Sequence, residues 1–156
     1  MTRRPWWWVG ILMMAGALGG CGDHEHHRHH HGGCLFFREL EPNTTALTAQ
    51  ELGELFADDC FVVDGTLLDA ADQDHYRVFI QESLSLMVTL DHSPLVNFAV
   101  HLLDAETGEL ILDCGTNVVP AVCVVPFDVN GFDIPVEVVV TPVSGVGPYT
   151  LTLRTR

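Results

Sequence analysis

From residue 34 onward, apolar side chains recur at every second position. Tyr76, Val78 and Ile80 alternate with His75, Arg77 and Gln81, and Leu84, Leu86, Val88 and Leu90 with Ser85, Met87 and Thr89. The pattern repeats at Val96, Phe98, Val100 and Leu102, turns at Asp104 to Glu109 into Leu110 to Leu112, and resumes at Val136, Val138 and Val140. Tyr149, Leu151 and Leu153 close it against Thr150, Thr152 and Arg154. A period of two with one apolar face per segment predicts half-buried strands, and short strands punctuated by turn residues predict an all-β sandwich. One stretch departs from the pattern. Thr48 can cap a helix, Glu51 stands three residues later, and Leu52, Leu55 and Phe56 share a helical face, so a short helix or turn is expected over Thr48 to Phe56, before the first strand. Strands and helices do not alternate, which excludes a nucleotide-binding α/β fold.

The N-terminus follows different rules. Arg3 and Arg4 precede an apolar run, Trp6 to Leu18, of about 13 residues, shorter than the roughly 18–20 a membrane-crossing helix needs. It ends in Leu18-Gly19-Gly20-Cys21, small residues followed by a cysteine. A cationic start, a short greasy middle and a small-residue cleavage point make a secretory signal over residues 1–20. The cysteine makes the cleavage point look like a bacterial lipobox, so Cys21 is expected to carry lipid and to tether the chain to a membrane outside the cytoplasm, in the cell envelope. Stable anchoring takes two or more acyl chains, each buried CH₂ adding about 0.8 kcal/mol.

Residues 21–33 form a second unit. His24, His26, His27, His29, His30 and His31 place six of the nine histidines in eight positions, with no apolar residue among them. Such a segment cannot fold onto a core and is expected to be a flexible tether. It is either a hydrophilic spacer or a trap for Zn²⁺, Ni²⁺ or Cu²⁺, ions that imidazole suits. Residues 34–156 then form one domain. The formal charge of −14 becomes −16 when Arg3 and Arg4 leave with the signal. An acidic surface of that kind excludes nucleic acid as a partner, since phosphates demand Lys and Arg.

Cys34, Cys60, Cys114 and Cys123 remain after Cys21 is set aside. Four cysteines in an exported domain imply two disulfides with three possible connectivities. Cys34–Cys60 and Cys114–Cys123 are favoured: the first pins the lead-in segment and the second closes a short loop. A four-thiolate zinc site lacks its usual Cys-x₂-Cys pair.

Several short motifs add up to a resemblance. Glu39-Leu40-Glu41-Pro42-Asn43, Val63-Asp64-Gly65-Thr66-Leu67, Asp72-Gln73-Asp74-His75-Tyr76 and Gly147-Pro148-Tyr149-Thr150-Leu151 stand in that order. Together they resemble the bacterial pre-peptidase C-terminal domain, over roughly Glu39 to Arg156. The resemblance implies a jelly-roll-like antiparallel β-sandwich that accompanies secreted hydrolases as an accessory module. It also implies calcium: Glu39, Glu41, Asn43 and Asp74 match positions that bind Ca²⁺ in some relatives, with Asp72 as a further acid displaced by one position. Hard Ca²⁺ wants six to eight oxygens of this kind. The bland alternative is a turn at Glu41-Pro42-Asn43 with solvated loop acids.

Catalytic signatures are absent from the sequence. Asp91-His92-Ser93 are neighbours and cannot converge as a triad, and no Gly-x-Ser-x-Gly elbow occurs. The sequence therefore supports a lipid-anchored, non-catalytic module that engages an envelope or extracellular protein or glycan. The rival reading is a lipoprotein that handles transition metal through its histidine tether.

Overall fold

The computed structural model describes residues 33–81, 84–115, 119–126 and 134–156. The signal run, Cys21 and the tether histidines His24 to His31 lie outside the described residues. Among the described residues, ten strands form two five-stranded sheets. The first contains β1 (Leu35–Arg38), β3 (Cys60–Leu67), β10 (Gly147–Thr155), β5 (Ser85–His92) and β8 (Ala121–Pro126), in that spatial order. The second contains β2 (Gln50–Leu55), β4 (Asp74–Ile80), β9 (Ile134–Ser144), β6 (Asn97–Asp104) and β7 (Leu110–Cys114). The sheets pack face to face over one core, so the all-β sandwich read from the alternation is what forms. Pairing is antiparallel except at one edge of each sheet, where β1 runs parallel to β3 and β2 parallel to β4.

The inward residues are those the alternation named. Tyr76, Val78, Ile80, Leu86, Leu90, Phe98, Leu102, Val136, Val138, Val140, Leu151 and Leu153 are fully buried. Burying a Val, Leu, Ile or Phe side chain contributes about 1.5–3 kcal/mol each, which is what holds two otherwise separate sheets together.

The short helix or turn expected over Thr48 to Phe56, before the first strand, is instead mostly strand, and β1 already precedes it. Gln50–Leu55 is strand β2, and the Thr48 hydroxyl bonds back to Thr45, accepting from its N–H at 3.1 Å, rather than capping a helix. The reason is a bulge. Between Glu51 and Gly53 the register with β4 slips by one residue, and Gly53 takes φ 105°, a conformation that side chains other than hydrogen rarely adopt. The extra residue turns Leu52 inward, so Leu52 and Leu55 both reach the core although they are three apart. Spacing that imitates a helix is here produced by a bulged strand.

Both disulfides pair as favoured: Cys34–Cys60 and Cys114–Cys123, with Cα–Cα distances of 4.4 and 5.6 Å. The first ties the chain just before β1 to the start of β3. The second links β7 to β8, the edge strands of opposite sheets, and so closes one side of the sandwich. Their sequence separations are 26 and 9 residues. On the chain-entropy account, replacing Cys34 and Cys60 together by Ala is expected to cost about 3.5 kcal/mol, and replacing Cys114 and Cys123 about 2.6 kcal/mol. Urea midpoints of the two double variants check the order; equal midpoints, or the reverse order, would contradict it.

Candidate cation site

Where β1 ends, the chain keeps its pairing for one more residue, Glu39 N–H donating to the Asp64 carbonyl at 3.1 Å. This registers the Glu39 side chain beside β3, where its Oε2 accepts from Thr66 N–H at 2.8 Å. The chain then folds over the end of the sandwich. Asn43 becomes fully buried, and its carbonyl accepts from His75 N–H at 2.9 Å, next to Asp74 at the start of β4. Backbone bonds to two different sheets therefore bring Glu39, Glu41, Asn43 and Asp74 together.

One oxygen each of Glu39, Glu41 and Asp74 lies within 4.8 Å of the others. Two ligands of one Ca²⁺ ion are at most about 5 Å apart, given metal–oxygen distances near 2.5 Å, so these three can share a cation. The Asn43 amide joins the same group. Its nitrogen donates to Glu41 at 3.0 Å and to Asp74 at 3.3 Å, and the rotated amide would offer its oxygen to a cation as a fourth ligand. The donor set is all oxygen, which suits a hard divalent ion rather than a thiolate-seeking one.

Two tyrosines hold Asp74. Tyr149 OH donates to Asp74 Oδ2 at 2.6 Å and lies 2.6 Å from Tyr76 OH, which in turn is 3.2 Å from Glu39 Oε1. Burial pushes the Asp74 carboxyl up to about 8, helped by hydrogen bonding to Glu39 and by the charges of Glu39 and Asp72, while the Tyr149 hydroxyl pulls it down. Burial raises both tyrosine hydroxyls far above their ordinary value, so they remain donors at any physiological pH. The Tyr149 ring crosses Gly65 on β3: a Cβ built there would stand 2.4 Å from both the Cζ and the hydroxyl oxygen of Tyr149.

Asp72 stands apart from this group. Its Oδ2 accepts from Leu68 N–H at 2.7 Å and closes the turn between β3 and β4, so it acts on Asp74 through charge rather than as a neighbouring ligand. His75 lies on the outer face of its sheet yet is buried, and His92 ends β5, stacked on Phe98 with ring centroids 5.0 Å apart. The sequence names Tyr76 and Tyr149 as strand and motif residues, not as partners of Asp74. Their motif positions, beside Asp74 and after Gly147, were the available signal.

A cavity of 640 Å³ adjoins the cluster. Arg38, Asp64, Thr66, Asp91 and Thr150 line it, and Glu39 and Tyr149 belong to both. Thr150 donates to Asp64 at 2.9 Å.

The molecule is thus a β-sandwich with an oxygen-lined cage at one end and a polar groove beside it. No family model and no curated protein matches the chain. Among solved structures it is similar to the periplasmic inhibitor of g-type lysozyme PliG of Aeromonas hydrophila: 16% identity, 69% of this chain and 97% of that one, TM-score 0.48. The pre-peptidase C-terminal domain of Bacillus anthracis collagenase is similar at 14% identity over 67% of this chain and 93% of that one, TM-score 0.48. Salmonella Typhimurium PliG matches at 10% identity over 70% and 100%, TM-score 0.43.

Proposed function

We propose that this chain is a lipid-anchored, non-catalytic binding module of the bacterial cell envelope, braced by Ca²⁺ held by Glu39, Glu41, Asn43 and Asp74. The observation that carries the reading is the convergence of the Glu39, Glu41 and Asp74 carboxylates beside the buried Asn43, next to a polar groove that Glu39 also lines. Calcium there would offset two of the three carboxylate charges and stiffen one wall of the groove. The groove presents Arg38, Asp91 and Thr66 to a protein or glycan surface, a set suited to backbone amides and sugar hydroxyls. The envelope location is supported by the signal-like run ending at Cys21, and by two disulfides, which persist in oxidising compartments.

Two experiments test the reading. Cys21→Ser is expected to move the protein from the membrane fraction to the soluble one; full retention with membranes would remove the anchor. Immobilised mature protein is expected to retain an envelope protein or glycan in calcium and to release it in EDTA. An Arg38→Glu, Asp91→Lys variant should fail to retain it, and equal retention by that variant would exclude the groove.

The six histidines of residues 24–31 favour a second reading, in which the tether captures Zn²⁺, Ni²⁺ or Cu²⁺. Deleting residues 22–33 separates the two: it abolishes a metal-linked phenotype under the second reading and only shortens reach under the first.

A further inference from the structure

The outer face of the second sheet carries a feature that neither the calcium cage nor the groove uses. In one row across four strands, His75 of β4 pairs with Val139 of β9, Val139 with His101 of β6, and His101 with Asp113 of β7. Valine separates two histidines, and each histidine has a carboxylate at the same ring atom. His75 Nδ1 lies 2.5 Å from Glu137 Oε1, and His101 Nδ1 lies 3.6 Å from Asp113 Oδ1.

At 2.5 Å the Glu137 carboxylate can hold the proton on His75 Nδ1, which leaves Nε2 with a free lone pair; Asp113, at 3.6 Å, offers His101 charge rather than a hydrogen bond. His101 Nε2 faces the Thr141 hydroxyl at 3.3 Å. His75 Nε2 is buried without any partner, on a residue only 8% exposed. A buried, unpaired nitrogen is costly unless something binds it. Both rings line one cavity of 370 Å³, with Gln73 and Thr141 on its rim and Val139 as its floor.

We infer that His75 and His101 form a site for a divalent transition metal ion, bound through their Nε2 atoms above Val139. Glu137 and Asp113 are its positioning carboxylates. The pattern is that of metal-binding histidines in general, which give their second ring proton to a carboxylate that fixes the tautomer and raises ligand basicity. Reach is adequate: two strand spacings are about 10 Å, a gap that two imidazole side chains and one ion about 2 Å from each nitrogen bridge. Imidazole donors select Zn²⁺, Ni²⁺ or Cu²⁺ over Ca²⁺, so this site and the oxygen cage take different ions. The inference stands independently of the calcium reading.

The test uses the mature chain with His24, His26, His27, His29, His30 and His31 replaced by Asn, so that the tether does not compete, and with calcium in excess. Zn²⁺ alone is titrated while the ¹⁵N imidazole resonances are followed. His75 and His101 Nε2 are expected to shift together at one equivalent and to return on EDTA addition, while His92 stays still. His101→Gln, at a partly exposed position that tolerates change, should weaken binding at least tenfold with an unaltered melting curve in EDTA. Asp113→Asn, also exposed, should weaken it several-fold. Zn²⁺ that moves neither histidine, or that binds His101→Gln as tightly as the parent, overturns the site. Because the readout is the histidine nitrogen, zinc captured by the acidic cage counts against the proposal.

Discussion

Gly65→Ala is expected to be among the most destabilising single substitutions in the domain. The added methyl would sit 2.4 Å from two atoms of Tyr149, a buried ring whose hydroxyl bonds Asp74 and Tyr76 at 2.6 Å. Either the ring moves and these bonds break, or strands β3 and β10 separate, and Gly65 and Tyr149 are direct partners in that ladder. Overpacking and the loss of a buried hydrogen bond together cost roughly 3–5 kcal/mol, which for a domain of this size lowers Tm by roughly 10–20 °C. Thermal melting of the oxidised protein measures it. The mechanism is checked by a double-variant cycle: with Tyr149→Ala already present there is no ring to clash with, so the added cost of Gly65→Ala should shrink to well under 1 kcal/mol. Additive losses would show that the glycine is needed for some other reason.

Calcium and pH are expected to act on the same carboxyl. In EDTA the folded protein is expected to hold a proton on Asp74, because burial pushes this carboxyl up to about 8 from an ordinary value of 3.8. The folded state then binds more protons than the unfolded one between those values. The contribution of Asp74 to stability is therefore full below about pH 4 and is lost as pH rises towards 8. Melting in EDTA should accordingly fall from pH 5.5 to pH 8. Calcium bound at the cluster is expected to replace the proton, so that its binding tightens with rising pH and flattens that slope. At about a hundredfold excess over its dissociation constant a ligand adds about 2.7 kcal/mol, a rise of roughly 10 °C here. Asp74→Asn, whose amide is always neutral, should remove both the slope in EDTA and most of the calcium shift. A melting temperature that ignores millimolar calcium at pH 8 would sink the cage; a slope that survives in Asp74→Asn would assign the titration elsewhere.

Much of the fold was legible because strands bury alternate residues. Tyr76, Val78 and Ile80 face inward, as do Leu86, Val88 and Leu90, and the arithmetic of period two needs no knowledge of the partner strand. The stretch Thr48 to Phe56 misled for a definite reason: a bulge at Gly53 changes the count by one, and one residue is the difference between a strand face and a helix face. The cage was partly legible too. Glu39, Glu41 and Asn43 are near in sequence, and their motif linked them to Asp74; the structure assembles these four and leaves Asp72 closing its own turn. Nothing in the spacing announced that Tyr149 would reach Asp74 from 75 residues away, because that contact exists only once β10 lies beside β3. Glu137 gave one faint sign, a lone acid within the valine-rich stretch Val136 to Val140. Its burial against His75 depends on β9 being the central strand of its sheet, which is a fact of topology.

The sequence by itself determined the inward and outward faces of the strands, the acidic surface, and the signal-like start ending in Cys21. Each is a local property, read from neighbours within a few residues. Tertiary structure decided which acids share a point in space, which tyrosines hold them, which disulfide spans the two sheets, and that two histidines flank one valine. These are contacts between strands far apart in the chain. They follow from strand order and register, which many sequences with the same alternation could satisfy differently.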